Sequence, residues 1–428
     1  MPNYRQLPYL LRAFRHRNYR LFFVGQTIAL NGTWMTLAAL GWLLFRLTGD
    51  PLKLGLMAFF MQAPTFFLTA LGGVLVDHAS RRKIILYSQM VNGLTVATLA
   101  YLTFSEQVVV WQVLSACALL GVVKAFELPA RQALVADLVE KNEDLSNAIG
   151  LNASIFHGAR MVGPMIAGGL IIPFFGEGMC FLVHAVAYIG AMRCFILIQP
   201  KAKTASASGK SFVGELVDGF RYTFGYAPVR ALVLLVAAVA FSAMPYGTLL
   251  PVFAESVLGG NSSTYGQLLG AGGLGALVAS IMLASRPSIL GMGRVIGFST
   301  LVWGLTLIMF AFSTTLWWSL LLLFVIGWSG INVMVGSNMI IQMLVEDHLR
   351  GRVMSLHGMV FMGALPLGSL CLGKAASLFG APISIAAAAI GTILAGLVFL
   401  LRLPALKEIA RPVYVERGIL DSSTVQSG

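Results

Sequence analysis

The sequence predicts an all-α membrane protein of twelve transmembrane helices in two pseudo-symmetric six-helix bundles, and three observations carry that prediction. Of its 428 residues 57% are hydrophobic and only 11% charged, against about a quarter charged in a soluble globular protein. Apolar runs of roughly 20 residues recur along the whole length, each enough to cross a hydrocarbon core about 30 Å thick as a helix. The two halves also echo each other. ALVADLVEKNEDLSNAIGL and IIQMLVEDHLRGRVMSLHG each place LVE and a charged turn before a helix, as expected of a duplication about an axis along the membrane normal.

Apolar runs bounded by charges, Pro/Gly clusters and polar turns place spans 1 to 6 near residues 19–46, 52–78, 84–104, 107–128, 145–173 and 178–198. Spans 7 to 12 follow near 229–257, 264–285, 293–313, 316–341, 353–376 and 381–402. The expected organisation is a first bundle over 1–200, a cytoplasmic linker with an amphipathic helix over 201–228, a second bundle over 229–405 and a cytoplasmic tail over 406–428. No removable leader is expected, because the basic start (Arg5, Arg12, Arg15, Arg17, Arg20) runs straight into a full-length span.

Most of the 29 Lys and Arg fall on one side: the N-terminus, the loops after spans 2, 4, 6, 8 and 10, and the tail with Arg402, Lys407, Arg411 and Arg417. The opposite loops hold only Arg46 and Lys53 at their edges. Positive charge is retained in the cytoplasm, so both termini are expected there, in a multi-pass plasma-membrane protein. The net charge of +12 is thereby a matter of topology, with no nucleic acid as partner. The linker PKAKTASASGKSF is polar and flexible and leads into FVGELVDGFRYTF, an interfacial amphipathic helix. Its SGKS is no phosphate-binding loop, since Thr204 stands where that pattern needs Gly. Cys117, Cys180, Cys194 and Cys371 lie in apolar segments without CxxC or Cys/His clustering, as packing residues, so neither metal nor cofactor is expected.

Between spans 2 and 3 the chain reads GGVLVDHASRR. With twelve spans in a 6+6 plan, this resembles the major facilitator superfamily and its G-x-L-x-D-x-x-G-R-[RK] signature: Gly73, Leu75, Asp77, Arg81 and Arg82 match, and Ser80 replaces the second glycine. The resemblance implies a cytoplasmic latch. Gly73 would permit close helix approach, Asp77 would accept from the N-terminus of span 11 and pair with Arg131, and Arg81 and Arg82 would sit at the anionic leaflet. The loop after span 8, ASRPSILGMGR, has no acid. In span 5, RMVGPMIAGG resembles the glycine-proline motif of exporters in this superfamily, with one extra residue between Pro164 and Gly168. Gly158, Gly163 and Gly168 would give it a smooth face, matched by Gly266, Gly270, Gly272, Gly273 and Gly275 in span 8. FELPARQALVADLV, LLPVFAESVLG and LVEDHLRGRVMSL further resemble the secretion-effector branch, which includes enterobactin-type siderophore exporters and macrolide efflux proteins.

Charges within spans are expensive and therefore functional candidates. Lys124 and Glu127 stand at i and i+3 in span 4, to neutralise each other or to make Glu127 a proton acceptor; His157 and Arg160 stand so in span 5, where Arg160 could hold an anionic group. His184 reads as a packing histidine or a coupling group, and Lys374 as a residue that snorkels. Arg46 and Glu255, ending spans 1 and 7, are expected to clasp an outer gate. Gln26, Asn31, Trp34, Gln112, Ser242, Tyr246, Asn332 and Asn338 are expected to line a cavity. The resemblance implies a monomeric secondary transporter that exports a small siderophore-like or drug-like molecule by alternating access, as a proton antiporter; the alternatives are a lysophospholipid translocator and an uncoupled facilitator. HExxH, GxSxG and paired midplane aspartates are all missing from the sequence, which speaks against an enzyme.

Overall fold

The computed structural model describes residues 9–139, 142–199, 212–286 and 288–417; the linker residues 201–211 and the tail beyond 417 lie outside them. Among the described residues the regular structure is helical. A short 3₁₀ helix, Tyr9–Arg15, precedes α1 (Arg17–Thr48), α2 (Pro51–His78), α3 (Arg81–Phe104), α4 (Val110–Leu138) and α5 (Asn142–Ile166), which continues through a π turn, Ala167–Ile171, into α6 (Ile172–Leu197). There follow α7 (Phe212–Gly225), α8 (Ala227–Ser242), a 3₁₀ turn, α9 (Leu250–Val252) with the π turn Phe253–Val257, α10 (Ser262–Ala284), α11 (Met292–Ala311), α12 (Leu316–Leu344), α13 (Asp347–Phe379) and α14 (Ala381–Glu416).

Among the described residues eleven stretches are long and apolar enough to cross a membrane, and one of them, Gly150–Leu197, has 48 residues. At 1.5 Å per residue that is about 72 Å, twice what a bilayer needs. It is broken at Gly176, whose φ of 76° and ψ of 174° end span 5 and begin span 6, a conformation essentially reserved for glycine. Twelve crossings result. Large apolar side chains face outward freely, Trp317 at 83% and Leu401 at 81% exposure, because their solvent is lipid.

The sequence repeat is also a repeat of turns. Gly176 has its counterpart in Gly380 (φ 81°, ψ 155°) between spans 11 and 12. Span 1 ends on Gly49 (φ 61°) and span 7 on Gly259 (φ 62°). Each is followed by an N-cap: Asp50 Oδ1 accepts from the Leu52 N–H at 2.9 Å, and Asn261 Oδ1 from the Ser263 N–H at 3.0 Å. The LVE sequences stop α4 at Leu138 and α12 at Leu344, each before an extended valine.

The chain divides into two compact units, 1–207 with 250–273, and 208–249 with 274–428. The second departs from the expected boundaries, because the hairpin made by α9, the π turn and the first half of α10 belongs with the first unit. Tyr265 shows why: it stacks on Trp42 of α1 at 5.9 Å between ring centroids. The end of the first unit that carries the start of α1 is an apolar core of Tyr19, Phe22, Ile85, Leu134 and Phe195. In the second unit α7 packs on α13, with Gly219 against Arg352 and Asp218 paired to Arg352 at 3.0 Å. The last span runs on as helix to Glu416, past the expected bundle end at 405.

Candidate functional site

The buried polar centre of the first unit is built on α4. The Glu127 carboxylate pairs with the Arg131 guanidinium one turn on and accepts a hydrogen bond from Asn92 Nδ2 of α3 at 3.3 Å. Glu127 is 7% and Asn92 5% exposed. Gln89, one turn before Asn92, is wholly buried, and its side-chain amide has no hydrogen-bond partner among the described residues. Tyr188 of α6 is buried nearby and feels both charges. One sequence expectation is corrected here. Glu127 does not pair with Lys124, which is exposed; an acid followed by a base at i+4 is the favoured order on a helix, and Lys124 precedes its acid. Arg131 takes Glu127 as a carboxylate partner; the expected pairing of Asp77 with Arg131 falls on a side chain outside the described residues.

At the end of the unit where α2 turns into α3, Arg81 Nη1 donates to the Ala133 carbonyl at 3.1 Å and pairs with Asp137 near the end of α4. Arg82 donates to the Ile196 carbonyl of α6. The basic residues of the signature therefore tie the α2–α3 turn to α4 and α6. Asp77 lies in the last turn of α2, and its side chain lies outside the described residues. Asp137 was missed in the sequence; an acid just before the LVE stop, across from three basic loop residues, was the signal. A Cβ at Gly73 would meet no described atom within 4 Å, whereas one at Gly72 would collide with the Ala125 carbonyl and lie 3.2 Å from Phe126 Cα. The close approach of α2 to α4 therefore falls on Gly72, and helix rotation of one residue turns Gly73 away from α4.

At the opposite end of the unit, Arg46 Nε and Nη2 hold Glu177 Oε1 and Oε2 at 2.9 and 3.1 Å. Glu255 is exposed, so the expected Arg46–Glu255 clasp is replaced by a bidentate pair between α1 and α6. The Gly176 turn directs Glu177 toward Arg46. The glycine stripes do meet, in part. A Cβ at Gly168 would lie 2.5 Å from the Ser262 carbonyl and 2.6 Å from Gly266 Cα; one at Gly266 would be 2.9 Å from the Pro164 carbonyl, and one at Gly273 2.8 Å from Met161 Cα. Gly270 faces Met165. Gly163 instead packs on Trp34 and Asn31 of α1, Gly158 meets nothing within 4 Å, and Gly275 faces the Phe324 carbonyl of α12, because 100° of rotation per residue carries them off the shared face.

Several of the remaining candidates gather on the seam of α1 and α5. The Arg160 guanidinium lies 5.7 Å over the Trp34 ring, within cation–π range, and Phe156 packs edge-on to Trp34 at 5.6 Å. His157 adjoins Phe156, and neither its Nδ1 nor Trp34 Nε1 has a hydrogen-bond partner among the described residues. Asn31 donates to the Thr27 carbonyl at 2.9 Å and borders a cavity of about 350 Å³ with Gly163 and Val183. The others serve local structure. His184 is buried, 2.7 Å from Thr36 Oγ1 and stacked on Tyr188, filling the space that Gly32 leaves. Gln112 Oε1 accepts from the Val109 N–H at 2.9 Å and caps α4. Gln26 is buried within the first unit. In the second unit Ser242 bonds Thr392 at 2.8 Å, Asn332 donates to the Trp328 carbonyl at 3.0 Å, Asn338 accepts from Gln342, and Tyr246 packs edge-on to Phe310.

Comparison with known proteins agrees with this architecture. The chain is 26% identical over 387 residues to the staphyloferrin A transporter of Staphylococcus aureus, covering 89% of this chain and 95% of that one. It is 26% identical over 391 residues to the multidrug efflux pump Tap of Mycolicibacterium fortuitum, covering 88% and 93%. The fold matches a solved POT family transporter in complex with 5-aminolevulinic acid, at TM-score 0.72 and 13% identity over 91% of this chain and 97% of that one. The family model described as transmembrane secretion effector matches residues 10–416, so this multi-pass membrane protein belongs to the transmembrane secretion effector family of the major facilitator superfamily.

Proposed function

We propose that the chain is a secondary transporter that exports a small organic molecule, siderophore-like or drug-like, in exchange for protons. The names of its relatives, a siderophore transporter and a multidrug pump, support the substrate class, and the distribution of Lys and Arg supports cytoplasmic termini in a bacterial inner membrane. A monomer suffices for this reading. The observation that carries coupling is the buried Glu127–Arg131 pair with Asn92. A proton added to a Glu127 oxygen yields a neutral acid and deprives Arg131 of its anion, changing the balance of charges between α3 and α4. Loss of that proton restores the pair. Arg160 over Trp34 is the proposed holder of an anionic or aromatic group of the substrate. Arg81–Asp137 braces the inner end, and the seal of α5 on the 250–273 hairpin is the proposed outer gate.

The test is uptake of a ferric-chelating polycarboxylate and of a cationic dye into everted membrane vesicles, with and without a pH gradient. Gradient-driven uptake that Glu127→Gln uncouples is the expected result. Uptake indifferent to the gradient identifies a facilitator and removes the coupling role of Glu127. Transport of lysophospholipid in place of either compound replaces the substrate assignment.

A further inference from the structure

The second unit contains a cavity of about 330 Å³ at the inner ends of its helices. Its apolar wall comes from α14, where Phe399, Leu403, Leu406 and Ala410 recur at helical spacing, and from Ile340 and Leu344 of α12. Pro228 and Leu232 of α8 and the α10–α11 turn, held open by Gly291 at φ 77°, complete it. The polar edge lies on the part of α14 beyond the last span, where Lys407, Arg411 and Tyr414 follow the same stripe and Glu408 is the only acid lining it among the described residues. Arg294, at the start of α11, is near enough for Lys407 to feel its charge.

The extended helix explains the shape. Thirty-six residues amount to about 54 Å, so α14 outruns a core of roughly 30 Å by several turns. Its inner part therefore continues beyond the hydrocarbon with an apolar stripe still facing the bundle and cations beside it. A slot that is greasy toward the membrane and positive at its mouth is complementary to one class of molecule, an amphiphile with an anionic head.

The geometry points to a binding site for an anionic glycerophospholipid of the inner leaflet, its acyl chain between α14 and α12 and its phosphate at Lys407 and Arg411. This site lies within the second unit and is separate from the Glu127 and Arg160 clusters. It rests on the cytoplasmic placement of these helix ends, not on the identity of the transported compound.

The test is native mass spectrometry of the full-length protein, delipidated in neutral detergent and offered equimolar dioleoylphosphatidylglycerol and dioleoylphosphatidylcholine. One phosphatidylglycerol retained in preference is the expected result. Lys407→Gln/Arg411→Gln should weaken it about thirtyfold, at roughly fivefold per cation, and Lys407→Gln alone about fivefold. Arg402→Gln, on the same helix but outside the cavity lining, should leave retention unchanged, and millimolar inorganic phosphate should not displace the lipid. Equal retention of both lipids, unchanged retention in the double variant, or displacement by phosphate would overturn the proposal. So would loss of retention in Arg402→Gln equal to that in Lys407→Gln, since that would mark diffuse surface charge.

Discussion

Glu127 and Arg131 share a charge-assisted bond inside the first unit, and neither would tolerate the loss of the other. Removing one partner of a buried pair leaves an uncompensated charge at a cost of about 3–5 kcal/mol. Glu127→Ala should therefore lower the melting temperature in detergent sharply, and Arg131→Met added to it should recover most of the loss. A double variant no better than the single one would show that the two charges act independently. Arg46 is a different case. Its side chain is 55% exposed while its partner Glu177 is only 6% exposed, so the pair lies between a surface pair worth about 1 kcal/mol at most and a fully buried one. Arg46→Ala leaves the Glu177 carboxylate without its cation and should lower the melting transition, by less than Glu127→Ala does.

At the scale of the helix, glycines report which faces are in contact. Gly72 lies against the Ala125 carbonyl and Gly73 against nothing described, so the two substitutions should part company. Gly73→Ala gains the roughly 0.5–1 kcal/mol by which alanine exceeds glycine in a helix, while Gly72→Ala must push α2 from α4 and should destabilise. Parallel melts of the two variants check this, and a destabilised Gly73→Ala would contradict it. Gly176 is required by its backbone. With φ 76° and ψ 174°, Gly176→Ala should cost about 1–3 kcal/mol and loosen Arg46 from Glu177, and Gly380→Ala should cost a similar amount in the second half.

The whole molecule must open and close if it exports by alternating access, and the 250–273 hairpin is the element whose contacts with α1 and α5 would break. A Cβ at Gly270 would lie 3.9 Å from Met165 Cβ, within the 3.5–4.5 Å that a disulfide spans. Met165→Cys/Gly270→Cys, in a background freed of the four native cysteines, should cross-link on mild oxidation. Vesicle transport should then stop and return on reduction. Undiminished transport by the oxidised variant would mean that this seal does not open in the cycle.

The sequence by itself determined the number of spans, their repeat, and the glycine stripes of spans 5 and 8. Each is written as a long local pattern: a run of 20 apolar residues or a recurrence every few residues leaves no second interpretation in a bilayer. The LVE stops belong to the same class, since backbone conformation is a local property, whereas the turns at Gly49, Gly176, Gly259 and Gly380 emerged only with the structure. Only the tertiary structure decided which partner each charge takes. An ion pair forms over about 3 Å in space, and several acids lay within reach in sequence terms alone. Arg46 met Glu177 and not Glu255, Arg131 met Glu127, and Arg81 met Asp137, because helix rotation and the Gly176 turn fixed which side chains face one another.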